Sequence, residues 1–184
     1  MKNYKNTPLL LIFVCFFTSC LNNIDFDQTE DFSTSPIIKS TLVYFTVNQI
    51  DFFDTVNSVE LVTPLDDTSD FTILKNNFVR KNLLKAVLEF EIINKFNRDF
   101  RVNISFLDVN DNVTHPFREF YVTAKDESFA QKEEVIIAAN QLFLSSTKVK
   151  VTIELSPSVD GSVIDPNNPL TLKFKSAGTF YLKT

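Results

Sequence analysis

From Ile37 onward, apolar and polar positions alternate mostly with period two. Phe100, Val102, Ile104 and Phe106 fall on one side of such a repeat, and Arg101, Asn103 and Ser105 on the other. Successive side chains of a strand point to opposite faces, so this spacing predicts a half-buried strand. Lys148 to Leu155 repeats the pattern, with Val149, Val151, Ile153 and Leu155 inward. Leu170 to Lys175 repeats it again, setting Leu170, Leu172 and Phe174 against Thr171, Lys173 and Lys175. One dry and one wet face per strand is the mark of antiparallel sheets.

Further strands are expected at Ile37–Val47, Ser58–Val62, Phe71–Leu74, Lys85–Asn94, Phe120–Thr123, Glu133–Ala138 and Thr179–Lys183. Turn-forming runs separate them: Asn97-Arg98-Asp99, Asn110-Asp111-Asn112 and Pro166-Asn167-Asn168-Pro169. Asn and Asp suit turns because they tolerate left-handed backbone and bond to their own main chain. About ten short strands over roughly 150 residues predict a mainly all-β fold, an antiparallel β-sandwich of which the immunoglobulin-like arrangement is one form. One or two short helical turns are expected within it. Val79, Leu83, Val87 and Phe90 fit a helical stripe, so the Phe78–Phe90 stretch can open as a helix. Ala138 to Ser146 reads as a turn or two of helix. There is no internal repeat.

Composition sharpens this picture. The chain has 184 residues, of which 44% are hydrophobic and 22% charged, enough apolar material to fold around a core. Twenty Phe, four Tyr and no Trp make phenylalanine the general core filler. With only two Gly, turns must rest on Asn and Asp. The net charge of −5, with no Lys/Arg stripe, excludes nucleic acid as an expected partner.

The first twenty residues have a different character. Lys2 and Lys5 precede an unbroken apolar run from Leu9 to Phe17; Thr18, Ser19 and Cys20 follow. Charge, apolar core and small residues are the layout of a secretory signal. The run is too short for a membrane span, which needs roughly 20 apolar residues. Phe17-Thr18-Ser19-Cys20 resembles the lipobox of bacterial lipoproteins, with Phe17 where the usual pattern has Leu. The resemblance covers only this segment. It implies a diacylglyceryl group on the Cys20 sulfur and cleavage just before Cys20. It also implies two or three acyl chains in the membrane. In that family an Asp after the Cys favours the inner membrane; Leu21 points to the outer membrane instead.

The expected organisation is therefore a signal peptide at 1–19, an acidic polar tether at 20–36 and a β-sandwich domain at 37–184. Asp25, Asp27, Glu30 and Asp31 give the tether its charge, and Ile24, Phe26 and Phe32 can dock it on the domain. The acids resemble, weakly, a surface-export signal.

Chemistry is sparse. His115 is the only histidine and is expected in a loop, as a surface or turn residue. No nucleophile elbow, zinc spacing or phosphate loop is present, so no catalytic residue and no cofactor are expected. Both cysteines precede Leu21, which excludes a disulfide framework in the domain. Asp108, Asn110, Asp111 and Asn112 alternate oxygen ligands but lack the Gly and distal Glu of a calcium loop, so a hairpin turn is the preferred reading. Asp66-Asp67-Thr68-Ser69-Asp70 is read as a solvated loop. Phe117, Arg118 and Tyr121 form a candidate sugar- or peptide-binding patch, with Phe117 and Phe120 as core fillers in the competing reading. The sequons at Asn103-Ile104-Ser105 and Asn112-Val113-Thr114 are chance matches in a bacterial protein.

The function expected is non-enzymatic: binding or assembly in the cell envelope, anchored to the outer membrane through Cys20, with an envelope protein as partner. A surface-exposed binder of glycan or peptide is the alternative, and an envelope hydrolase ranks last.

Overall fold

The computed structural model describes residues 35–61 and 63–183. Cys20, the signal segment and most of the tether lie outside the described residues. The fold is a sandwich of two antiparallel sheets. The first sheet has the order β1-β11-β5-β9: Ile37–Asn48, Thr171–Leu182, Leu83–Asn94 and Phe129–Ile136. The second runs β4 (Leu65–Asp70), β10 (Lys148–Leu155) and β6 (Phe100–Leu107). Both β7 (Val113–Pro116) and β8 (Phe120–Val122) pair along the far edge of β6. A short ribbon of β2 (Phe53–Asp54) and β3 (Val59–Glu60) stands apart. Helix α1 (Asn77–Asn82) is one turn and a half, capped by the Asn76 side-chain oxygen Oδ1, which accepts from the Phe78 and Val79 amides.

The period-two pattern survives as burial. In β10, Val149, Val151, Ile153 and Leu155 are buried and the residues between them are not. Their faces meet those of β5 and β11 across a core built largely of phenylalanine. Phe106 packs edge-on against Phe71 and Phe143, with centroids 4.7 and 5.0 Å away. Phe71 in turn reaches Phe180 of the opposite sheet, and Phe90 of that sheet reaches Phe117 and Phe120. Edge-to-face contacts suit the ring quadrupole and tie both sheets into one network.

Three local expectations are corrected. Asp66 to Asp70 is not a loop but most of the edge strand β4. Asp67 pairs with Val151 and shares the inward phase, an acidic residue at the margin of the core. Charges on an edge discourage strand addition from outside. Asp66 accepts from Thr152 and pairs with Lys150 at 2.7 Å, which holds its carboxyl below the usual range. Conversely, Phe71–Leu74 is not a strand; it leads into a 3-10 turn at Ile73–Lys75 that buries Phe71 and Leu74. Leu170–Lys175 and Thr179–Lys183 are one strand, β11, running through Ser176-Ala177-Gly178. The stretch from Phe78 does open as a helix, which stops at Asn82, and Leu83 begins β5.

One irregularity shapes the pairing of β1 with β11. Thr41 pairs with Ala177 and Tyr44 with Lys175, so Leu42 and Val43 together oppose Ser176. This bulge shifts the inward phase of β1 from even to odd positions: Ile38, Ser40 and Leu42 before it, Val43, Phe45 and Val47 after it. The buried Ser176 hydroxyl fixes the bulge by accepting from the Val43 amide and donating to the Val43 carbonyl.

Candidate functional site

The patch expected around Phe117 divides in the structure. Phe117 is buried, with its ring against Phe90, Phe106 and His115, and it offers nothing to a ligand. Arg118 and Tyr121 stay exposed and share one cleft. Strand alternation explains the difference. Phe120 and Val122 point into the core from β8, so Tyr121 points out and is 66% exposed.

The cleft lies where the open edge of β8 in one sheet faces the open edge of β9 in the other. Its volume is about 470 Å³, and Arg118, Glu119, Phe120, Tyr121, Phe129 and Gln131 line it. A neighbouring hollow of about 250 Å³ shares Arg118, Phe120 and Gln131 and adds Lys132 and Glu133. Sequence reading missed Phe129 and Gln131. The available signal was a polar residue at an inward position of an amphipathic strand, which marks an edge rather than a core strand.

Hydrogen bonds organise the outer wall. The Asn103 amide donates to the Glu119 carboxylate at 3.1 Å, and the Tyr121 hydroxyl lies beside the same group. Led by the Tyr121 hydroxyl, these neighbours hold the Glu119 carboxyl below its ordinary range. The same proximity raises the Tyr121 phenol, because ionising it would set two negative oxygens side by side. Arg101, opposite Tyr121 in the register, pairs with Glu154 and so is occupied within the sheet face. In a Glu119→Gln variant the Tyr121 phenol should titrate at lower pH than in the parent. Ultraviolet titration of the tyrosines measures this, and an unchanged curve would show that the Glu119 charge does not act on Tyr121.

His115 sits in β7, not in a loop. Its Nε2 lies 3.3 Å from Glu133 Oε1 on β9, and its ring packs edge-on against Phe117 and Phe143. It is a half-buried link between the two sheet margins, with no nucleophile beside it among its described contacts.

At the candidate calcium loop, the Asp108 carboxylate accepts from the Asn110 and Asn112 amides and from the Asn112 side chain. The Asn112 side chain leads the contacts that hold the Asp108 carboxyl low. Asp111 adopts φ of 64° and pairs with Lys148 at 2.7 Å. The Asp108 oxygens are turned to the hairpin's own donors, and Asp111 to Lys148 of β10. Among the described residues no group of three or more His, Cys, Asp or Glu is placed to hold a metal. No described helix is long and apolar enough to cross a membrane.

No family model and no curated protein matches the chain. Solved structures show distant similarity. A protein of Parabacteroides distasonis described as secreted is 11% identical at a TM-score of 0.49, over 64% of this chain and 38% of that one. The VP2 subviral particle of infectious bursal disease virus is 8% identical at 0.42, over 80% of this chain and 32% of that one. A Bacillus endospore appendage that forms disulfide-linked pili is 10% identical at 0.35, over 82% and 92%. The chain thus spans about a third of the length of the first two. Similarities this distant bear on neither family nor function.

Proposed function

We propose that the chain is a lipid-anchored protein of the bacterial cell envelope, held through Cys20, with a non-enzymatic binding or assembly role. The observation that carries this is Phe17-Thr18-Ser19-Cys20 placed directly after the apolar run from Leu9. Cleavage before Cys20 would remove Cys15 as well and leave Cys20 as the only thiol in the chain. No disulfide could then compete for its sulfur. Each buried methylene of an acyl chain contributes about 0.8 kcal/mol, so two or more chains make attachment durable where one alone is marginal. Leu21 favours the outer membrane, and the partner in this reading is another envelope protein.

Replacing Cys20 by Ala tests the anchor. The Cys20→Ala protein should lose fatty-acid labelling completely and appear in the soluble fraction. Labelling that survives the substitution would overturn the proposal.

The second reading, a surface binder of glycan or peptide, draws support from the exposed Tyr121 and Arg118 in the β8–β9 cleft. An aromatic face beside polar groups, over a buried apolar floor, suits either ligand.

A further inference from the structure

We propose that the outer face of the first sheet carries a binding site for a neutral sugar ring, stacked on Tyr44. This goes beyond the anchoring proposal and does not depend on it.

The bulge in β1 sets the aim of Tyr44. Without the extra residue, the strand would send Tyr44 to the side of Ile38 and Leu42, into the sandwich. The bulge reverses the phase, and Tyr44 stands on the outer face, 59% exposed. Bulges commonly re-aim a side chain in this way beside functional sites. The device here is fixed from below by the buried Ser176, 5% exposed, through both of its bonds to Val43.

What Tyr44 borders is a hollow of about 310 Å³ lined by Thr41, Glu89, Glu91, Lys175, Ser176 and Ala177. That volume is at the small end for ligand sites and accommodates one or two sugar rings. The hollow exists because Ala177 is short where its outward neighbour Lys175 is long. Thr41, Ala177 and Glu89 lie abreast across three strands, and Tyr44, Lys175 and Glu91 form the parallel row.

Charge narrows the ligand class. Glu89 is bonded to Lys132 Nζ at 2.7 Å. Lys175 and Glu91 are opposite one another in the register, yet neither joins a salt bridge among the described residues. The formal charges of Glu89, Glu91, Lys132 and Lys175 cancel, so a charged ligand gains little from the site as a whole. A neutral polyol gains more. Its hydroxyls can donate to Glu91 and accept from Lys175, and charge-assisted bonds of this kind are the stronger ones. Its C–H face can lie on the Tyr44 ring and the Ala177 methyl. Tyrosine gives such contact at low entropy cost because it has few rotatable bonds.

The test is calorimetric titration of the purified full chain. The probes are neutral tetrasaccharides of glucose, mannose, galactose and N-acetylglucosamine, with oligogalacturonate and a tetra-alanine peptide as the anionic and peptidic comparisons. At least one neutral tetrasaccharide should bind. Tyr44→Ala should then weaken it by about tenfold or more, the scale of one lost stacking contact. Ala177→Phe should abolish binding by filling the hollow, and Val109→Ala, at the exposed turn after β6, should leave it unchanged; Tyr121→Ala shows whether the β8–β9 cleft carries the binding instead. Tyr44 and Ala177 are both exposed, so neither change touches the core. Three results would each overturn the site: no neutral tetrasaccharide binding, tighter binding of oligogalacturonate or peptide, or affinity that follows Tyr121 rather than Tyr44. Acylation plays no part in the measurement, so its failure would leave the anchor untouched.

Discussion

Replacing Arg98 with Ala should lower the unfolding free energy by about 3–5 kcal/mol, the usual effect of breaking a buried ion pair from one side. Arg98 is 8% exposed and sits in the Asn97-Arg98-Asp99 turn. Its Nη1 donates to Glu60 Oε1 at 2.8 Å and to the Ser162 carbonyl at 3.0 Å. Its Nη2 donates to the Ser156 carbonyl at 2.7 Å and to Glu60 Oε2 at 3.2 Å, and Nε reaches Ser156 as well. Glu60 also accepts from the Ile164 amide at 2.6 Å. One guanidinium thus joins the β2–β3 ribbon to the turn before β6 and to the long segment between β10 and β11. Truncating it leaves a carboxylate and two carbonyls with little water to replace it. Urea unfolding of the full chain measures the loss. A cost under about 1 kcal/mol would mean that the pair behaves as a surface salt bridge. Changing both partners together, Arg98→Met with Glu60→Leu, should recover part of the loss, because no unpaired charge remains.

Gly178→Ala should cost about 1–3 kcal/mol, a large effect for one methyl group. The reason is space, not backbone freedom. A Cβ at this inward position would lie 2.7 and 2.8 Å from two atoms of the Phe180 ring and 3.4 Å from Leu88. Phe180 is fully buried and packs near Phe71, so the ring cannot swing clear. Gly178→Ala combined with Phe180→Leu should therefore cost less than the sum of the two single changes, since the second opens the room that the first needs. Additive costs in urea unfolding would show that the strain is taken up elsewhere.

Gly178 also shows where sequence reading stops. Strands such as Phe100–Phe106 and Lys148–Leu155 were legible because each apolar residue faces the core and each polar residue faces away from it. β11 reads as two pieces because Ser176, Ala177 and Gly178 interrupt that pattern. The strand continues because Ser176 bonds the bulge and Gly178 yields its volume to Phe180. Both are three-dimensional reasons with no signature along the chain. β4 was hidden for the opposite reason: an edge strand has little core to face, so its inward positions hold Asp67 and Ser69.

The sites were less legible than the fold. Arg118 and Tyr121 were visible as a cluster, but Phe129 and Gln131 come from a strand that only topology brings alongside. Tyr44 lay inside a predicted strand, and its outward aim depends on one unpaired residue in β1 that alternation alone does not reveal.

The pairing of β1 with β11 has a mechanical consequence. The Leu182 amide donates to the Pro36 carbonyl at 3.0 Å, so β1 starts where β11 ends. Tension between residues 36 and 183 would open this ladder one bond at a time, like a zip. Tension between residue 36 and a load borne by Lys175 of β11, in the same face as Tyr44, would pull the two strands past one another and strain many of their bonds together, in shear. If the chain is held from its N-terminal side, a load gripped at Lys175 pulls in the direction that antiparallel strands resist best.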